Sequence, residues 1–176
     1  MSVVISGSTG ITLPDNGSLS TSVAGAMVID SAGRVTKPLQ PAFNVNPSVK
    51  QNNMALGASV TIIMDVERFD IGSNFASNTF TAPVTGKYQL NLNIRLDSLD
   101  TGASYYQVSI RTSNKSYTTI NKFTRHSADL DYISFNLSVL ADMDAGDTAY
   151  GVFFQPNGAQ QTDVSGASAF SGYLVA

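Results

Sequence analysis

The sequence predicts an all-β protein, a sandwich or jelly roll preceded by an extended N-terminal arm, and three observations lead there. Charged residues make up 13% of the 176-residue chain, about half the ~25% usual in globular domains. Their place is taken by 22 Ser, 15 Thr, 13 Asn and 7 Gln, while Glu67 is the only glutamate and there are five lysines. Glu and Lys dress exposed helix faces, whereas Ser, Thr and Asn favour turns, caps and outer strand faces. The second observation is periodicity: apolar residues alternate with polar ones, and no stretch shows a convincing helical period. The third is that all sixteen Phe and Tyr lie from Phe43 onward. Aromatic side chains dominate core energetics, so a core belongs to residues 41–176, and residues 1–40 form an arm without one.

The arm is rich in Gly, Ser and Thr, with turn signals at Pro14-Asp15-Asn16-Gly17, Gly25 and Ser31-Ala32-Gly33. Between them stand short apolar pieces, Val3-Val4-Ile5, Ile11 to Leu13, Met27-Val28-Ile29 and Val35, which suit strands that pair with other chains. Val3, Val4, Ile5, Ile11 and Leu13 are the expected anchoring residues of an assembly arm, the plainer alternative being a disordered leader. Pro38 and Pro41 close the arm.

From Phe43 the pattern becomes strands separated by turns. The clearest is 86–97, where Tyr88, Leu90, Leu92, Ile94 and Leu96 point one way and Gln89, Asn91, Asn93 and Arg95 the other. That is a half-buried antiparallel strand. Tyr106, Val108 and Ile110 alternate with Gln107, Ser109 and Arg111; Phe135, Leu137 and Val139 alternate with Asn136 and Ser138. Shorter strands are expected at 42–45, 60–64, 66–69, 79–81 and 117–121, and the last two at 148–155 and 168–175. About ten short strands make a sandwich or jelly roll. One strand breaks the alternation: in Tyr150-Gly151-Val152-Phe153-Phe154 bulky groups fall on both faces. Each large side chain left in water would forgo about 1.5–3 kcal/mol. Either this strand is central within the monomer, or its second face is buried by another subunit. The second alternative makes Tyr150, Val152, Phe153 and Phe154 a subunit interface.

Several function classes fall away. With a net charge of −3 and no basic run, the footprint of a nucleic-acid binder is absent. No apolar run approaches the length that spans a bilayer, and the first residues lack the basic start and apolar stretch of a secretory signal. Zero cysteines and a single histidine, His126, leave no disulfide, thiolate or imidazole cluster.

The segments Phe69-Asp70-Ile71-Gly72-Ser73-Asn74-Phe75 and Asn78-Thr79-Phe80-Thr81-Ala82-Pro83-Val84-Thr85-Gly86-Lys87-Tyr88 resemble the signature of the complement-one-q globular head, a relative of the tumour necrosis factor jelly roll. Ala145-Gly146-Asp147 before a strand, and Ala169-Phe170-Ser171-Gly172-Tyr173-Leu174 near the end, are similar as well. The resemblance covers residues 41–176 and implies a ten-stranded jelly-roll head that forms homotrimers. Secreted members of that family carry a collagen stalk; here Gly7, Gly10, Gly17, Gly25 and Gly33 have no period of three, so no collagen helix forms. Instead, residues 7–15 and 28–36 resemble short arms of bacteriophage fibre and virion proteins.

No residue pattern supports catalysis. His126 stands in Thr124-Arg125-His126-Ser127 near Asp129 and Asp131, but a triad is a matter of spatial geometry. Asp142-Met143-Asp144-Ala145-Gly146-Asp147 looks like a calcium loop, yet Phe153 stands where the bidentate glutamate belongs. No cofactor or resident metal is expected, although some relatives in the resembling family bind calcium near the trimer axis. Strand parity, with both termini at the base of the head, puts loops 97–104, 122–131 and 156–166 at the apex and 113–116 and 142–147 at the base. The apical loops carry Asp97, Asp100, Arg125, His126, Asp129, Asp131, Asn157, Gln160, Gln161 and Asp163, the expected receptor-binding residues.

The expectation that follows is a virion protein made in the bacterial host cytoplasm. It is a short fibre or tail-fibre-like homotrimer, tied to other virion proteins by its arm, whose head binds a host-surface glycan non-covalently. The alternative is a capsid or tail decoration protein with no receptor. A free soluble regulator fits less well. The neutral outer faces (Gln89, Asn91, Asn93; Ser134, Asn136, Ser138) suit packing between copies, because few charges must be desolvated. A chain beginning at residue 41 should melt cooperatively; a molten product, detected by calorimetry, would contradict the boundary.

Overall fold

The computed structural model describes Val28, Ile29 and residues 31–176. The anchoring residues expected at Val3, Val4, Ile5, Ile11 and Leu13 lie outside the described residues. Among those described there are fourteen strands and no helix. β1 (Val28–Ile29) and β2 (Val35–Thr36) pair antiparallel, with Val28 opposite Thr36.

Pro41–Ala176 is one compact unit and holds the other twelve strands. In order they are β3 (Ala42–Asn46), β4 (Val60–Thr61), β5 (Val66–Ile71), β6 (Phe75–Ala76), β7 (Thr79–Thr81) and β8 (Gly86–Leu99). They continue with β9 (Tyr106–Thr112), β10 (Ser116–Asn121), β11 (Leu130–Met143), β12 (Thr148–Phe154), β13 (Asp163–Val164) and β14 (Ala169–Leu174). One sheet runs β10-β9-β12-β7-β6, with β4 also on β12; the other runs β11-β8-β14-β3-β5, with β13 also on β8. Every strand pairing is antiparallel. The two sheets face each other as a jelly-roll sandwich. The expected strands are all present except that 60–64 shortens to two residues, and 135–139 proves to be the middle of the fourteen-residue β11.

The alternation in β8 does what its pattern dictates: Tyr88, Leu90, Leu92, Ile94 and Leu96 are buried to within 1%. The centre of the core is aromatic. The Phe43 ring stacks on Phe80 at 4.6 Å and Phe75 at 5.3 Å, and meets Phe170 edge-on at 5.1 Å. Phe43 and Phe170 come from one sheet, Phe75 and Phe80 from the other. Tyr88 packs on Phe80 at 5.5 Å and satisfies its hydroxyl on the Val84 carbonyl at 2.8 Å.

The doubly apolar strand has an internal explanation. β12 is flanked along its length, by β9 on one side and by β7 and then β4 on the other. Phe153 points into the core and is 0% exposed, and Val152, on the opposite face beside Ser109 and Thr61, is 1% exposed. Phe153 and Val152 are therefore corrected from subunit interface to monomer interior, since no side-chain surface remains for a partner to cover. Tyr150 and Phe154 stay half-buried on the outer face.

The unit's ends meet: the Leu174 N–H donates to the Pro41 carbonyl at 3.0 Å, and Lys87 N–H donates to the Ala176 carbonyl at 2.7 Å. Nearby, β14 crosses between β8 and β3 so closely that a Cβ on Gly172 would lie 2.7 Å from both Leu90 Cδ2 and Phe43 Cε1. A Gly172→Ala substitution should thus lower stability by about 1–3 kcal/mol, the usual cost of overpacking. Chemical denaturation checks this, with the midpoint falling and the slope unchanged.

Candidate functional site

Two surfaces of the head carry polar chemistry in quantity, the apical loops and the outer face of the β11-β8-β14-β3-β5 sheet. The apical loops converge as strand parity requires. Thr101 meets Asp129, Ser104 meets Asn157, and Asp100 meets Ala159 and Gln160. At the other end, Asn114 reaches Asp142 and Asp147, and Ala82 donates to Asp147.

Asp100 organises the apex. It is 6% exposed, and its carboxylate accepts backbone N–H bonds from Gly102 at 2.6 Å, Gln160 at 3.0 Å and Ala159. The Gln160 N–H, together with those of Gly102 and Ala159, stabilises the ionised form more than burial opposes it, so the carboxyl sits below its ordinary value. Gly158 makes this possible: its φ is +131°, and a Cβ there would lie 2.6 Å from Asp100 Oδ2. Gln155, 0% exposed, ties the same loop from below. Its Nε2 donates to the carbonyls of Asn157 and Gln160, and its Oε1 accepts from Thr162 N–H.

A second brace joins the 50–54 segment to the apex. Lys50 Nζ lies 2.7 Å from Asp163 and 3.7 Å from Asp97, whose other oxygen binds Arg95 Nε at 2.8 Å. Asp97 and Asp163 are direct cross-strand partners, a like-charge pair that would repel without Lys50. The Asp163 hydrogen bond accordingly raises the lysine's pKa. Asn53 N–H donates to Asp163, Gln161 Nε2 to the Asn53 and Met54 carbonyls, and the Arg95 guanidinium lies over the Tyr132 ring at 4.6 Å.

Of the expected receptor-binding residues, the side chains of Asp97, Asp100, Asp129, Asn157, Gln161 and Asp163 are engaged in these loop-to-loop bonds, and Gln160 contributes its backbone. Arg125, His126 and Asp131 stand on exposed surface of the 122–131 segment, with the His126 ring 5.9 Å from that of Phe123. Sequence reading missed Lys50, Asn53, Ser104 and Gln155. Only Gln155 left a signal, as a polar residue ending an otherwise apolar strand.

At the base, Asp147 Oδ2 accepts from Asn114 Nδ2 at 2.6 Å and Asp144 N–H at 2.8 Å, and Asp142 pairs with Lys87. These bonds make the Asp142–Asp147 segment a turn. Among the described residues no three His, Cys, Asp or Glu are grouped to hold a metal ion.

The sheet face is built from rows set by register. One row reads Leu140, Gln89, Tyr173, Ala42, Ile71; the next reads Ser138, Asn91, Ser171, Asn44, Phe69; a third carries Asn136, Asn93 and Ala169. Gln89 Nε2 donates to Ser138 Oγ, Ser138 Oγ to Asn91 Oδ1, and Asn93 Nδ2 to Asn136 Oδ1. A shallow depression lies among Asn91, Asn93, Asn136, Ser138, Ala169 and Ser171. These three rows hold no formal charge. The charges at the two ends are closed into ion pairs, Lys87 with Asp142 and Arg95 and Lys50 with Asp97 and Asp163, while at the β5 edge the exposed Arg68 Nε donates to Asn46 Oδ1 at 3.1 Å. Tyr132, Leu140 and Phe69 are half or more exposed at its margins, and Tyr173 is 48% exposed within the first row.

The loss of Asp100 would orphan three loop N–H groups. Asp100→Ala should cost about 2–4 kcal/mol at neutral pH, from one to three kcal/mol for each donor left without a partner and partial recovery by water. The folded-state pKa is depressed, so this contribution is present above the unfolded value of ~3.9 and is lost as pH falls through the folded value. Urea titrations of both proteins down through pH 4 should show their stability difference shrinking.

The description of the C1q domain matches residues 42–175. Among solved structures, the fold is similar to the globular domain of zebrafish complement 1qA protein. The TM-score is 0.55 and the identity 14%, over 78% of this chain and 98% of that one. No curated protein matches the chain.

Proposed function

The chain belongs to the C1q domain family, and on that premise we propose that it is a phage virion protein: a short, fibre-like homotrimer whose apical loops bind a host-surface glycan non-covalently. C1q domains are often trimeric recognition modules, and the family is generally non-enzymatic. The observation that carries the trimer is the uncharged face of the β11-β8-β14-β3-β5 sheet. Its polar groups are short amides and hydroxyls that pair with one another, its margins are apolar, and its ion pairs are already closed within the monomer. Burying its three uncharged rows strands no ion, and so avoids the several kcal/mol that each unpaired charge would cost. The interface is proposed on this sheet; of the β12 residues first expected, Val152 and Phe153 are interior, while Tyr150 and Phe154 remain half-buried on the outer face.

The arm segments 7–15 and 28–36, with their likeness to short virion arms, support the placement on a particle. Residues 1–40 are proposed to anchor to other virion proteins. Pro41, where the arm enters the head, sits beside Leu174 at the end opposite the apical loops, so an anchored base presents Arg125, His126 and Asp131 outward. Three copies of a weak site raise the effective concentration for a repetitive glycan.

One observation favours a second reading. Six apical side chains are engaged in bracing the loops, which suits a capsid or tail decoration protein that stiffens the particle and recognises no receptor.

Sedimentation of the full chain should give a trimer, and Ser171→Lys, which sets an unpaired charge at the centre of the face, should give a folded monomer. A trimer unaffected by that substitution places the interface elsewhere. Purified protein should compete with particles for adsorption to host cells; no competition at saturation selects the decoration role.

A further inference from the structure

Asn-Gly is the dipeptide in which a side-chain amide is most open to attack by the following backbone nitrogen, because glycine places no side chain in the way. Two asparagines in the chain precede glycine, Asn16 and Asn157. Asn157 lies in the apical loop between β12 and β13, on exposed surface. The Gly158 N–H makes no hydrogen bond among the described residues, so the nucleophile is unencumbered. The carboxamide is held instead. Ser104 N–H donates to Asn157 Oδ1 at 2.8 Å, and Asn157 Nδ2 donates to Ser104 Oγ at 3.0 Å. Both bonds draw the amide toward the β8–β9 loop, and Cγ can turn to its own Gly158 nitrogen only by giving up both.

We propose that Asn157–Gly158 is a self-modification site, kept in its amide form by the Ser104 clamp, and that its conversion unlatches the 155–162 loop from Asp100. In the first step Gly158 N yields its proton to solvent base and bonds to Asn157 Cγ. The Cγ–Nδ2 bond breaks, and the amide nitrogen takes a proton back from solvent and leaves as ammonia, giving a cyclic imide. Water then opens the ring at either carbonyl, to aspartate or to isoaspartate, with one new negative charge and no change of oxidation state. Isoaspartate carries the backbone through the former side chain and lengthens it by one methylene just ahead of Gly158. That glycine already lies against Asp100 Oδ2 with no room for a methyl group. The added length therefore displaces the Ala159 and Gln160 N–H groups that Asp100 holds.

The test incubates the full chain at mildly alkaline pH, folded or in urea, and follows the amide-to-acid mass gain in the peptide spanning 157–158. Conversion in the folded protein should be about 10–100-fold slower than in urea, the range by which misaligned reacting groups are retarded. Ser104→Ala, with unchanged melting, removes the Oγ bond and keeps the backbone one, so it should raise the folded rate part of the way toward that in urea. Equal rates with and without urea, or a Ser104→Ala rate that stays at the folded wild-type level, would overturn the clamp. A second measurement needs no variant. Wild-type protein converted at Asn157 is separated by charge, and hydrogen exchange is read at Ala159 and Gln160. Exchange should quicken at both amides, and undiminished protection would overturn the unlatching.

Discussion

The packing of three phenylalanines around Phe43 is the interaction on which the rest of the head depends. Phe43 lies on the first strand of the unit and Phe170 on the last, while Phe75 and Phe80 come from the opposing sheet. One cluster therefore holds the two sheets together and draws the ends of the unit side by side. Aromatic pairs of this kind contribute about 0.5–1.5 kcal/mol each beyond the area they bury. The cluster cannot form from any local stretch of chain. It needs both ends at once, so the sandwich is a cooperative, high-contact-order object.

A core of this kind leaves the two polar surfaces free to follow different rules. The sheet face inherits its flatness and row spacing from strands whose other side is locked into the core. Its amides and hydroxyls can then form a ladder in place of an apolar seam. The apex has no such backing, and its loops are ordered by point contacts: one carboxylate holding three N–H groups, one buried glutamine holding three backbone partners, and one lysine shared by two aspartates. Each contact fixes a loop at the cost of a side chain that could otherwise meet a ligand. The apex is rigid for the same reason that it offers few groups outward.

What was legible in the sequence were features with a period or a parity. The alternation through Tyr88–Leu96 placed β8, and counting strand reversals placed the loops at the correct ends. β6 and β13 went unseen because two residues carry no period. The full span of β11 went unseen because it is a sheet edge, half-buried along much of its length, and its pattern blurs toward Leu130 and Met143. The doubly apolar β12 offered two explanations, and only the positions of β4 and β9 decide between them. The braces at Asp100 and Lys50 were illegible for a different reason. Their partners lie far away in sequence, at Gln160 and Asp163, and an aspartate looks the same whether it faces water or closes a loop.

The contact between Pro41 and Leu174 has an implication for how such a head is used as a part. Because its entry and exit points are neighbours, the unit resembles a plug whose two leads leave from one socket. It can be appended to the end of a chain, or spliced into a loop of another protein, without stretching the host's backbone. The same adjacency allows a circularly permuted version, with the old ends joined by a short linker and new ones opened in the basal turn near Gly146. A fusion at Ala176 would leave the apex unobstructed, which makes the fold a carrier that can change its mount while keeping the same end exposed.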